Sequence, residues 1–270
     1  MSAKETVCVA GLGGIGGSMA SRLKERGWGV VGLDPDARRR TQWIGRTDRI
    51  AVGHPDALDW STISHLVVAV RTERQVETVL GACAELGAQK LSVLVVSTVR
   101  VSFWKRTQEL APPPWRILEC PVSGGEGPAR QGTITMFVAG QCTVEDSALL
   151  DDLSDRIVTF PHHGTPAMMK LLNNTLAAIN AANVARCLQI ATVQGIDAQT
   201  FLDALEQGSG RSHMSTHLAE VSRNQFELLE KDVGLLLGDY PAASVGRDIV
   251  GLADLVQGGL GDLARPDSVL

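Results

Sequence analysis

The sequence predicts an α/β protein: a doubly wound parallel sheet followed by an all-helical C-terminal part. Three observations carry this. Short apolar runs alternate with segments of helical spacing over roughly the first 160 residues, the pattern of strands covered on both faces by helices. A stretch rich in Ala, Leu and Met, without Pro or Gly, then runs from Ala167 to Gln194 and stops at Gly195, a normal helix terminator. Beyond it only helical patches follow. The expected division is 1–162 for the α/β part and 163–270 for the helical part.

In order along the chain, Thr6–Ala10 is a strand candidate that runs into glycines, and Ser18–Glu25 reads as a helix closed by Gly27. Gly29–Leu33 is the second strand and Asp36–Arg40 begins a helix. His65–Val70 is a further strand; Glu73–Leu86 places Val76, Val79, Leu80 and Cys83 at helical spacing. Leu91–Val96 is strand-like and Ser102–Leu110 helix-like; Pro112, Pro113 and Pro114 mark a loop. Arg116–Glu119 and Thr133–Ala139 complete the strands. A helix over 167–194 rises ~1.5 Å per residue and spans about 40 Å, too long to be only a surface cover, so it reads as the spine of the second part. Ala198–Gln207, His217–Arg223, Glu227–Gly238 and Val245–Val256 are the remaining helical patches, and the tail from Gly258 reads as irregular.

Composition narrows the function classes. The 270 residues are 44% apolar and 20% charged, which excludes a disordered or fibrous chain. A net charge of −5 argues against nucleic acid as the main partner. Five scattered cysteines without a CxxC pair suggest a reducing compartment and thiols that mostly fill the core. No run approaches ~18 consecutive apolar residues, so no membrane partner is expected. Lys4 and Glu5 lead straight into the first strand, unlike a signal peptide. The expected location is cytoplasmic.

Gly11-Leu12-Gly13-Gly14-Ile15-Gly16 fits G-x-G-x-x-G between a strand and a helix. The first glycine permits the tight turn, the second lets backbone approach a pyrophosphate, and the third lets helix pack on strand. The helix N-terminus then offers free N–H groups to phosphate. Asp34 ends the second strand, 18 residues after Gly16. An acid there accepts hydrogen bonds from the adenosine ribose and repels a 2′-phosphate, favouring NAD over NADP. Arg38, Arg39 and Arg40 are the counterweight: either a partner for a 2′-phosphate or a solvated helix face.

Two further clusters carry chemistry. Pro121-Val122-Ser123-Gly124-Gly125 follows a strand; its small residues let backbone N–H groups and a hydroxyl reach a small anion such as a carboxylate, or form an ordinary glycine-rich loop. Lys170-Leu171-Leu172-Asn173-Asn174 opens the long helix. Lys170 and Asn174 are i and i+4 and share a face. A lysine facing a cleft between the two parts, partly buried, would have its pKa drawn toward neutrality and suit proton transfer; the alternative is a surface lysine beside a core helix. His162 and His163 do not share a helix face and have no carboxylate or cysteine near them in sequence to complete a metal set, so no metal is expected. Met168 and Met169 read as core packing.

The order GLGGIG, CPVSGG, KLLNN and Glu230-Lys231-Asp232-Val233 resembles the β-hydroxyacid dehydrogenase family, which is 6-phosphogluconate dehydrogenase-like and includes 3-hydroxyisobutyrate dehydrogenase and tartronate semialdehyde reductase. The likeness runs from Val7 to about Leu237. It implies a Rossmann domain, a long interdomain helix, a helical C-terminal domain and a homodimer or homotetramer. It implies that Gly11 to Gly16, Asp34, Val70, Arg71, Thr98 and Lys231 hold the cofactor. Ser123, Gly124, Gly125 and Asn173 are implied for a small carboxylate substrate, Lys170 as general acid/base, and Asn174 as the residue that orients the lysine or the substrate. The implied reaction is hydride transfer between NAD(P) and the CH–OH or C=O group of a small 3-hydroxy acid or semialdehyde acid. Pro166 and Arg71 stand where the family has glycine and proline. Imine reduction and non-catalytic dinucleotide binding are the alternative functions.

Overall fold

The computed structural model describes residues 5–45, 47–51, 55–86, 90–106 and 114–263. Contacts divide the chain into two units, Met1–Lys170 and Leu171–Leu270.

Among the described residues the first unit is built on a nine-stranded sheet. Its strands are β1 (Thr6–Ala10), β2 (Gly29–Leu33), β3 (Arg49–Ala51), β4 (Ile63–Val68), β5 (Ser92–Val95), β6 (Arg116–Glu119), β7 (Val122–Ser123), β8 (Thr135–Ala139) and β9 (Arg156–Phe160). They lie in the order β3-β2-β1-β4-β5-β6-β8-β7, with β9 on β8. Strands β1 to β6 pair in parallel. β8 runs antiparallel to β6 and β7, and β9 runs parallel to β8. The order reverses between β1 and β4, and a doubly wound sheet opens a crevice at such a point, past the carboxyl ends of its strands.

Alternation along each strand fills two cores. Val7 and Val9 face one side, where they meet Met19, Leu23, Leu94 and Leu118; Cys8 and Ala10 face the other, with Leu66, Val68, Val76, Leu80 and Val93. Leu66, Leu94 and Leu118 are fully buried, each contributing about 1.5–3 kcal/mol by transfer from water. The helices are α1 (Gly14–Glu25), α2 (Ala37–Trp43), α3 (Glu73–Glu85), α4 (Glu126–Gln131) and α5 (Val144–Leu153). Capping boxes start α3 (Thr72 with Gln75) and α5 (Thr143 with Asp146), satisfying amides that a helix start leaves open.

Helix α6 (Thr165–Val193) has 29 residues. The second unit adds α7 (Ala198–Glu206), α8 (His213–His217), α9 (Arg223–Asp239) and α10 (Leu252–Leu260). Ala178, Ala181, Ala182, Ala185 and Leu188 of α6 share a core with Phe226, Val233, Leu252 and Val256. Small residues let the helices approach closely: a Cβ on Gly259 would stand 2.9 Å from the Ala185 carbonyl oxygen. Among the described residues, α6 is the one helix long and apolar enough to cross a membrane by length and composition; its alanine face, buried in this core, accounts for much of that apolarity.

Several expectations needed correction. Helix α1 starts at Gly14, not Ser18, because the last three residues of the glycine stretch, Gly14 to Gly16, already form its first turn. A helix expected over His217–Arg223 is instead α8 followed by a 3₁₀ turn at Leu218–Glu220; Ser212 and Ser215 form a capping box that starts the helix early. Val245–Gly251 lies outside α10. Strands β3, β7 and β9 and helices α4 and α5 went unread, being short or weakly periodic. Val101–Arg106 forms a 3₁₀ helix; the remainder of the segment expected to be helical, 107–110, and Pro112 and Pro113 lie outside the described residues, as do residues 264–270. The tail expected to be irregular from Gly258 is instead helical at its start, α10 running to Leu260 and a 3₁₀ turn following at Gly261–Leu263. Met169 is more than a third exposed, so it is not core.

Candidate active site

The glycine loop follows the carboxyl end of β1, where steric limits explain two glycines. Gly11 has φ +94, and a Cβ there would lie 2.4 Å from the Ala69 carbonyl oxygen. On Gly16 it would lie 1.9 Å from the Gly11 carbonyl oxygen. Gly13 is different. The nearest atom to a Cβ there is Arg39 Nη1 at 3.8 Å, so the space beside it is open. Gly13 is also the N-cap of α1 and supplies no side-chain cap. An open, uncapped helix start is what a pyrophosphate requires, so the loop fits a dinucleotide. Leu12 is buried. Gly14 and Ile15 form the first turn of α1, and a Cβ on Gly14 would collide with the Glu126 carboxylate, which brings the start of α4 against this loop.

Asp34 is 1% exposed. Its Oδ2 accepts from Leu12 N at 2.7 Å and its Oδ1 from Asp36 N at 2.8 Å, tying the end of β2 to the glycine loop. Of the arginine run, Arg40 donates to the carbonyls of Asp34 and Pro35. Arg39 lies 3.7 Å from Asp34 Oδ2 and 3.8 Å from Asp36 Oδ2.

The neighbouring strands deliver the next residues. Val70 and Arg71 follow β4 and Thr98 follows β5. Ser97 Oγ accepts from Val70 N at 2.9 Å and donates to Val68 O at 3.2 Å, joining the two loops. Val70 Cγ1 would meet a Cβ on Gly11 at 3.2 Å, so Val70 borders the glycine loop. Arg71 is exposed, and its N–H donates to Gln75 Oε1. Arg100 is held by Glu73 in a two-pronged ion pair, Nη2 to Oε2 at 2.8 Å. Ser123 closes β7, Gly124 and Gly125 take φ +137 and +83, and Gly125 is the N-cap of α4. Burial pushes the thiol of neighbouring Cys120 up, which keeps it protonated and unreactive.

Lys170 and Asn174 stand one turn apart on α6, each 8% exposed. In the second unit, Asn174 Nδ2 donates to Asp232 Oδ2 at 2.6 Å, and Asn173, on the exposed side, donates to Asn174 Oδ1 at 3.1 Å. Lys231 Nζ is 3.0 Å from Asp232 Oδ1 but off the hydrogen-bond direction, so that oxygen has a counter-charge without a directed donor. Asp232, 4% exposed, thus organises Asn174 and Lys231 together. Sequence reading passed over it, although its place directly after Lys231 was the available signal. Among the described residues no group of three or more His, Cys, Asp or Glu side chains is arranged to hold a metal.

A glycine turn into an uncapped helix, at the switch point of a doubly wound sheet, defines a dinucleotide-binding protein. Comparison with known proteins agrees. Residues 6–158 match the NAD binding domain of 6-phosphogluconate dehydrogenase. Residues 164–253 match the family described as NAD-binding of NADP-dependent 3-hydroxyisobutyrate dehydrogenase. The chain belongs to the β-hydroxyacid dehydrogenase family and is an NAD(P)-binding oxidoreductase of that family. It is 26% identical to 3-hydroxyisobutyrate dehydrogenase of Pseudomonas aeruginosa, covering 92% of this chain and 89% of that one. It is also 26% identical to L-threonate dehydrogenase of Cupriavidus necator, covering 85% and 81%. The crystal structure of 3-hydroxyisobutyrate dehydrogenase from Salmonella typhimurium superposes with a TM-score of 0.74 at 21% identity, over 96% of this chain and 93% of that chain.

Proposed function

We propose that this protein interconverts a small 3-hydroxy acid and the corresponding semialdehyde or keto acid, with Lys170 as general acid/base. The observation that carries the reading is the burial of Lys170 and Asn174 one turn apart on α6, with Asn174 locked by Asp232. Bound NAD(P) supplies the hydride acceptor or donor. In the oxidation direction Lys170 Nζ takes the hydroxyl proton; in reduction it returns a proton to the carbonyl oxygen. Ser123, Gly124 and Gly125, the two glycines at positive φ, receive the substrate carboxylate through a hydroxyl and backbone N–H groups. Asn174 orients the reacting group, and Asn173 fixes the Asn174 amide. Gly11 to Gly16 hold the pyrophosphate. Val70, Arg71, Thr98 and Lys231 serve the rest of the cofactor.

NAD is favoured over NADP. Asp34 is fixed by two backbone amides beside the glycine loop and repels a 2′-phosphate, while Arg39 is already compensated by Asp34 and Asp36. The working form is a homodimer or homotetramer; Leu176, Ile190 and Val193 leave apolar surface exposed along α6 for a second copy.

The test is a panel of small 3-hydroxy acids and semialdehyde acids, assayed with NADH/NAD and NADPH/NADP, for the wild type and Lys170→Ala. Turnover favouring NAD, lost by about 10²–10⁴-fold in the variant with dinucleotide affinity kept, supports the reading. Turnover that survives Lys170→Ala sinks the proton-transfer role, and an NADPH preference sinks the cofactor assignment.

A further inference from the structure

Glu119 ends β6, and its side chain is fully buried. A carboxyl group in that position needs partners that replace the water it has lost. Those partners come from the start of α6. Glu119 Oε2 accepts from Gly164 N at 2.5 Å, and Oε1 accepts from Ala167 N at 2.6 Å. Both donors are amides at a helix start, where the backbone dipole also favours negative charge. His163 Nδ1 lies 3.6 Å from Oε2, and its ring stacks on Trp104 at 5.4 Å. Gly164, at φ +87, is walled in by Val101 and Trp104. The beginning of α6 is therefore pinned to the end of one sheet strand on one side and to the 3₁₀ turn at Val101–Arg106 on the other.

The positions of the two ends give this clamp its meaning. Lys170 is three residues beyond Ala167, less than one helical turn. Ser123 is four residues beyond Glu119 along the chain. One buried carboxylate thus joins the start of the Ser-Gly-Gly segment to the start of the lysine helix. A solvent-facing serine or threonine could cap the helix without burying a charge; it could not tie the helix to the sheet.

We propose that Glu119 is a positioning residue for the reaction: its carboxylate fixes the rotation and height of the first turn of α6, and so the point from which Lys170 reaches the substrate oxygen. This rests on the role given to Lys170 above. Glu119→Gln keeps one acceptor oxygen and puts an NH₂ against the other amide, so one of the two bonds is lost with little change of volume. A misplacement of about 1 Å costs on the order of 10²-fold in rate. The expected result is a fall in kcat of about 10- to 100-fold, with KM for the dinucleotide within about twofold of wild type.

Three measurements on the full-length protein decide the matter. Steady-state kinetics of Glu119→Gln give the kcat-against-KM split. The same substitution in a Lys170→Ala background adds no further loss if Glu119 acts through Lys170; a second, multiplicative loss overturns the proposal. Amide hydrogen exchange at Gly164 and Ala167 reads the clamp without any turnover: exchange at least ~10-fold faster in Glu119→Gln supports it, and unchanged exchange overturns it. Faster exchange with unaltered kcat also overturns it. Glu119→Asp keeps the charge but is one methylene short; it is expected to lie between wild type and Glu119→Gln in kcat, and it carries the test if Glu119→Gln folds poorly. A Lys170→Ala enzyme that still turns over defeats the function assigned to Lys170, and is distinguishable because exchange still reports on Glu119.

Discussion

Replacing Gly13 by alanine separates the two demands on the glycine loop, folding and ligand approach. At Gly16 a Cβ would stand 1.9 Å from the Gly11 carbonyl oxygen and 2.9 Å from Ala69 Cβ. Carbon contacts are comfortable near ~3.5 Å, so α1 would have to retreat by about 1.5 Å. Overpacking on that scale costs ~1–3 kcal/mol or more, and Gly16→Ala should lose stability and cofactor together. Gly13 has φ −68 and ψ −173, a conformation any L-residue adopts, and only Arg39 Nη1 at 3.8 Å nearby. Gly13→Ala should therefore fold with an unchanged melting temperature. Its methyl group, however, occupies the open space where a pyrophosphate would meet the helix start. Displacing the phosphates removes a charge-assisted hydrogen bond of ~1.5–3 kcal/mol and weakens binding by about 10- to 150-fold. NADH fluorescence titration alongside thermal denaturation measures both. A Gly13→Ala protein that melts like wild type and binds NADH equally well would refute the placement of the pyrophosphate on this loop.

Two further outcomes follow from buried carboxylates away from the glycine loop. Burial alone would raise the pKa of Asp146, but hydrogen bonds from His65, Ser92, the Thr143 amide and Arg116 outweigh it and hold the carboxyl well below its usual range. A depressed folded-state pKa contributes stability above the unfolded value of ~3.9 and loses it as pH falls toward the folded one. The urea midpoint should therefore drop steeply below about pH 4, and Asp146→Asn should flatten that branch while costing about 2 kcal/mol at pH 7, less than a fully buried pair because Arg116 stays partly solvated; an unchanged acid branch would contradict it. Asp232→Ala leaves the Asn174 amide without its acceptor and should cost ~1–3 kcal/mol in unfolding free energy, so an unaltered urea midpoint would show that the pair is not formed in solution.

Much of the first unit was legible because its signals are local. The β-branched run Thr6–Ala10, the glycines at 11, 13 and 16, and the acid at Asp34 each state a backbone requirement within a few residues. β1, β2 and β6 accordingly fall where the apolar runs place them. The long helix was visible because Ala, Leu and Met continue from 167 to 194 without a breaker. Elements defined by their partners were not visible. β9, mostly exposed along its length, is a strand because β8 offers it an edge, and α8 starts where the side chains of Ser212 and Ser215 reach each other's amides.

The same division runs through the site. Sequence by itself determined the residue types: a glycine turn for phosphate, a Ser-Gly-Gly stretch for an anion, a lysine and an asparagine one turn apart. Only the tertiary structure decided what holds them, because those partners are distant along the chain. Asp34 binds Leu12 across 22 residues, Glu119 binds Ala167 across 48, and Asp232 binds Asn174 across 58. Carboxylates at such separations look like ordinary surface acids until folding removes water from them. Backbone amides and an asparagine then stand where that water was.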